Sequence, residues 1–86
     1  MDEKKIELVK RLNRFVDAAK DAERSVEMLC KEKSDHLTLK VLGPEGHRFI
    51  AKFVCDRDTV IQFATAAEVA LEMRCEELHN ELIETA

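Results

Sequence analysis

The residues able to do chemistry in this 86-residue chain are three cysteines, three histidines and a dense set of carboxylates. Their spacing decides what they can do. Cys30, Cys55 and Cys75 are far apart and odd in number, unlike the even, dense disulfide framework of a small secreted scaffold, so reduced and mostly buried thiols are expected. Cys75 and His79 lie one helical turn apart, the spacing of two ligands to one metal. No second close pair completes a tetrahedral set from Cys30 or His36, so no metal and no other cofactor is expected. His36, His47 and His79 are scattered, and none is spaced to act as base for a Ser, Thr or Cys nucleophile. Gly43 and Gly46 flank Pro44 and make a turn, not a loop that brings many backbone N–H groups against phosphates. A chain without these constellations is expected not to be an enzyme.

The carboxylates point elsewhere. Glu68, Glu72 and Glu76 recur every four residues, Glu77, Glu81 and Glu84 follow on another side, and Val69 and Met73 stand among them. On a long helix such a pattern is a solvated acidic face with apolar anchors, suited to a basic surface on another protein. Charge is distributed unevenly along the chain. Residues 1–33 carry nine basic and eight acidic side chains, residues 34–55 three and two, and residues 56–86 two and eight, for a net charge of -4. Lys4, Lys5, Lys10, Arg11 and Arg14 concentrate positive charge near the start, the one feature that suits nucleic acid. Asp2, Glu3 and Glu7 weaken that field, and without Trp or Tyr there is no base-stacking platform; nucleic-acid binding through the first helix ranks third.

Long regular elements must position these groups, because the chain has only two Gly and one Pro, with 45% hydrophobic and 37% charged residues. Leu8, Leu12, Phe15, Ala19, Ala22, Val26 and Leu29 recur at spacings of four and three, predicting an amphipathic helix over about 3–33. The period then changes to two. Leu37, Leu39 and Val41 alternate with Thr38 and Lys40, and Phe49, Ala51, Phe53 and Cys55 alternate with Arg48, Ile50 and Lys52, predicting a two-stranded hairpin over about 36–55. Gly43-Pro44-Glu45-Gly46 forms its turn. With Gly43 opposite His47, Val41 would face Phe49, Leu39 would face Ala51 and Leu37 would face Phe53. Asp56-Arg57-Asp58-Thr59 offers helix-capping acceptors, and a second helix follows over about 58–85, its main stripe Val60, Ala64, Ala67, Leu71, Cys75, Leu78 and Leu82. Phe63, Ala66, Val69, Ala70 and Met73 make a second apolar side on its first half.

The expected fold is α+β: long helix, two-stranded antiparallel β-hairpin, long helix (α-β-β-α), in one domain over residues 1–86. This order resembles the layout of prefoldin-type chaperone subunits, though with shorter helices and no shared motif. The likeness is one of layout only; a chaperone-like or structural assembly subunit whose hairpins oligomerise is the second reading. A lone hairpin is marginal in water, and its outer face exposes Leu42, Ile50 and Val54. A homodimer is therefore expected, with equivalent hairpins paired edge to edge or with helices in an intermolecular bundle. The charged start and the lack of any long apolar run give no leader peptide and no membrane span, so the cytoplasm is the expected location. The leading expectation is a small non-enzymatic regulator or inhibitor, of the kind phages and mobile elements carry, that acts as a homodimer and uses its acidic helix on nucleic-acid machinery.

Overall fold

The computed structural model of the protein describes residues 2–85. Helix α1 spans Glu3–Lys31, strand β1 His36–Leu42, strand β2 Phe49–Asp56 and helix α2 Arg57–Thr85. Helix α1 starts where Asp2 offers both its oxygens: Oδ1 accepts the Lys4 N–H at 3.2 Å, and the carbonyl accepts the N–H groups of Lys5 and Ile6 at 3.1 Å. It stops at Lys31, two residues short of the expected end. There the Glu32 carboxylate accepts the N–H groups of Lys33 and Ser34, at 3.0 and 3.1 Å, and gives the backbone an alternative to a further turn.

The two helices run antiparallel. Leu29 and Val60 line one recess, Phe15 and Leu71 another, and the Arg74 guanidinium sits 5.6 Å from the Phe15 ring centre. The predicted seams are the observed ones. All seven α1 positions of the stripe are buried or half-buried, as are the α2 positions except Ala67, which is exposed. Among the described residues the fully buried apolar core is nonetheless only Leu8, Val60 and Leu78, at 3%, 5% and 5% exposure.

The hairpin forms as expected but in a different register. Leu37 faces Cys55, Leu39 faces Phe53 and Val41 faces Ala51, two residues away from the pairs counted from the turn. Two local causes add up. Glu45 (φ 66°, ψ 5°) takes the third position of a type II turn inside a short 3-10 segment, Pro44–Gly46, and Gly46 follows with φ 73°. The loop thereby takes one more residue, and the Gly43 N–H donates to the Arg48 carbonyl rather than meeting His47. The second residue is lost at a bulge, since Leu42 pairs with Phe49 while Val41 pairs with Ala51, leaving Ile50 as the extra residue of β2. The slip of two leaves residues 51–55 on their expected face, whereas Phe49, on the loop side of the bulge, pairs with Leu42 instead of Val41 and so leaves the inner face.

Only the base of the hairpin rests on the helices. Leu37, Leu39 and Cys55 are half-buried, and the Phe53 ring meets Phe63 of α2 edge to face at 6.1 Å. Phe53, Phe63, Phe49 and Met73 all remain exposed, because the hairpin covers only the start of α2 and the bulge turns Phe49 away from the inner face. The molecule measures 50 × 26 × 14 Å, with a radius of gyration of 16.0 Å against about 12 Å for a compact chain of this length. Its accessible surface is 6780 Å², about 1,600 Å² more than the roughly 5,200 Å² of a compact monomer of its mass.

This sparse core predicts a sharp contrast in urea unfolding. Leu78→Ala is expected to cost about 2–5 kcal/mol, and Met28→Ser on the exposed side of α1 less than about 0.5 kcal/mol.

Candidate functional site

Three places bring chemistry-bearing residues together. The first is the corner where both connections between helices and hairpin meet, a polar recess of about 220 Å³ lined by Asp35, His36, Asp56, Arg57 and Asp58. Arg57 and Asp56 are engaged in holding the corner closed, while Arg57 Nε is buried without a hydrogen-bond partner. The Arg57 N–H donates to the Asp35 carbonyl at 2.9 Å, and its Nη1 donates to the carbonyl of Glu32. Asp56 caps α2, accepting the Thr59 N–H at 3.0 Å on Oδ2 and the Thr59 hydroxyl at 2.6 Å on Oδ1. Among the described residues no three His, Cys, Asp or Glu side chains are grouped to hold a metal ion. Cys30 is exposed and Cys55 and Cys75 are half-buried, all three free, so the expectation of mostly buried thiols is corrected: the shallow core covers none of them fully.

The second place is the side of α2 facing away from α1. Ile61, Gln62, Thr65, Ala66, Val69, Ala70 and Met73 line an open apolar groove of about 530 Å³. Val69 and Met73 are 50% and 57% exposed, so the two expected anchors share one surface. By helical geometry Glu72 and Glu76 fall on one flank of Met73 and Glu77 on the other. Glu72, Glu76, Glu77, Glu81 and Glu84 are all exposed, whereas Glu68 is half-buried and lies toward α1. Glu77 is already engaged, accepting from Arg74 Nη1 at 3.4 Å. Of the glutamates flanking Met73, Glu72 and Glu76 are exposed and outside the ion pairs of the described residues.

The third place is the outer face of the hairpin. Leu42, Ile50 and Val54 are exposed there, at about half or more of their area. The observed register sets Lys40 opposite Lys52 between them, two ammonium groups on one face with no carboxylate within 4 Å among the described residues. Each strand has one neighbour, so both outer edges of the sheet lack a strand partner among the described residues.

The antiparallel seam changes the standing of the basic start of the chain. Residues 10–14 of α1 lie beside the 71–78 stretch of α2, so Lys10, Arg11 and Arg14 sit next to the acidic half-helix and their fields partly cancel. Arg11 and Arg14 border a recess of about 410 Å³ with Phe15, Ala18 and Leu71. The ion pairs among the described residues are local: Arg24 with Asp21, His47 with Glu45, and Arg74 with Glu77.

Sequence reasoning placed Val69, Met73 and the glutamates, but did not identify Ile61, Gln62 and Thr65 as groove walls; helical spacing from Val69 was the signal for them. The Lys40–Lys52 pair was invisible without the register. Compared with models of protein families, with curated proteins and with solved structures, the chain matches none.

The corner makes a prediction about acid stability. Asp56 is held below its ordinary value of 3.8 by the Thr59 hydroxyl and then the Thr59 N–H. Glu32 is held below 4.5 by the Ser34 N–H, the Ser34 hydroxyl and the Lys33 N–H. A lowered value favours the charged form in the folded chain, so this stabilisation is complete above the ordinary values and is lost as pH falls through the lower, folded-state ones. Asp56→Asn with Glu32→Gln keeps the hydrogen-bond acceptors and removes the charges. The double variant is expected to lose stability less steeply than the native chain between about pH 5 and pH 2, measured by urea midpoints.

Proposed function

We propose that this chain is a non-enzymatic protein-binding regulator that acts as a homodimer and docks a basic, apolar surface of a partner protein on the outward side of α2. The observation that carries the reading is the exposed side of α2: a shallow, open apolar depression of about 530 Å³ ending at Met73, beside which helical spacing sets Glu72 and Glu76. Val69 and Met73 supply area that loses water on docking, and the carboxylates steer a positively charged surface into place. The size of the uncovered surface supports the homodimer. Two copies that each shed about 1,600 Å² would bury about 3,200 Å² in total, inside the range of roughly 2,000–5,000 Å² for obligate homodimers. No helix of the described residues is long and apolar enough to cross a membrane.

Basic surfaces of this kind are common on proteins that handle nucleic acid, which makes such a protein the natural target class. An inhibitor encoded by a phage or mobile element is the specific version of this reading. The test is capture. The native chain as bait is expected to retain proteins with basic surfaces at low salt and to release them as salt rises. Glu72→Lys with Glu76→Lys is expected to lose those same proteins, as identified by mass spectrometry. Unchanged retention with unchanged salt dependence would overturn the reading.

A further inference from the structure

The outer face of the hairpin has the chemistry that the α2 groove selects. It is apolar through Leu42, Ile50 and Val54, and positive through Lys40 and Lys52, which face each other across the strands. Like charges directly opposite in a sheet are unfavourable unless an anion shares them, and no carboxylate of the described residues comes within 4 Å of either. The groove presents the counterpart: apolar Val69 and Met73 with Glu72 and Glu76 beside them. Within one chain the two surfaces point in different directions, since the hairpin turns its inner face to α2 at the Phe53–Phe63 contact and its outer face away.

We infer that the groove of each chain takes the hairpin of a second copy, Lys40 and Lys52 of one protomer meeting Glu72 and Glu76 of its partner, with the contact repeated about a two-fold axis. This rests on the reading of the groove given above and names its occupant. A two-fold arrangement makes the contact twice, so each protomer covers a hairpin and a groove at once. The apolar parts provide the desolvated area, and the four charges per contact fix the register and exclude the alternative in which hairpin meets hairpin, lysine against lysine. An external basic partner then has to displace the hairpin.

A charge swap tests this on the full chain. The native protein is expected to be a dimer by light scattering at tens of micromolar, dissociating as salt is raised. Lys40→Glu with Lys52→Glu, and separately Glu72→Lys with Glu76→Lys, are each expected to raise the dissociation constant roughly tenfold or more. An equimolar mixture of the two variants is expected to restore dimers, because one contact of the heterodimer is then reversed in both partners and the other is native. Circular dichroism checks that each variant is folded. If one is not, the neutral pairs Lys40→Gln/Lys52→Gln and Glu72→Gln/Glu76→Gln replace it, and each is expected to flatten the salt dependence of association. A native chain that is monomeric throughout, a dimer indifferent to both swaps, or a mixture that stays monomeric would each overturn the inference. The capture experiment separates this from the broader reading. If Glu72→Lys/Glu76→Lys loses its external partners while self-association is unchanged, the groove still docks basic proteins and its occupant is not a second copy.

Discussion

The constraint on which the rest of the structure depends is that this chain has one helix seam and almost nothing to lay across it. Two helices of 29 residues bury one stripe each against the other. In a bundle of three or four helices a residue near the seam is covered from a second direction, but here that cover comes only from the hairpin, and only near Leu29, Val60 and Phe63. Ser25, Ala64 and Ala67 are too small to fill the space beneath Leu39, which leaves an apolar recess of about 400 Å³ there. Close packing is what turns buried area into a single rigid arrangement, so the seam alone makes a thin, elongated body with side chains covered on one side. The free surface of α2 follows from the same shortage.

Antiparallel return of the second helix also decides what the charges can do. Along the chain, basic and acidic residues are well separated, and a basic start followed by an acidic end reads as two different binding surfaces. Folding lays one against the other. Arg74, reaching over Phe15, shows how a basic side chain from the acidic helix is drawn across the seam to an aromatic face. With Glu77 held by Arg74 and Glu68 half-buried, the acidic surface narrows from six glutamates to the pair beside the groove and the exposed Glu81 and Glu84 at the far end. Nucleic-acid binding through α1 has the opposite difficulty, because its positive field is diluted by carboxylates one helix diameter away.

Most of the architecture was legible because it rests on periodicity. The stripe from Leu8 to Leu29 has one helical solution, and a stretch without Gly or Pro from Val60 to Thr85 leaves a helix no reason to stop. Asp56 was legible as a cap for the same local reason, a short acceptor just ahead of free N–H groups. The register of the hairpin was not. Gly43-Pro44-Glu45-Gly46 permits more than one loop length, and a left-handed Glu45 is not foreshadowed by its residue type, since Gly or Asn is what that turn position favours. The bulge at Ile50 has no sequence mark of its own. How far the hairpin reaches over α2 was likewise beyond pattern, because an alternating strand shows which face is apolar and not how much of it is covered.

That small error of register has a large consequence for the surface. In the pairing counted from the turn, Lys40 would stand opposite Ile50 and Lys52 opposite Thr38, two lysines each diluted by a neutral neighbour. In the observed pairing they share one rung, with Thr38 and Val54 on the next rung of the same face. Two charges brought to one rung produce a local potential that either one alone does not, and they lose repulsion only when an anion is held between them. The turn and the bulge, which shift backbone pairing by two residues from Val41–Ala51 onward and move Phe49 to the rung of Leu42, therefore reorganise the charge on the outside of the sheet. The inner rungs from Leu37–Cys55 to Val41–Ala51 keep their face in either register, and the difference lies in how charge is arranged on the outer face.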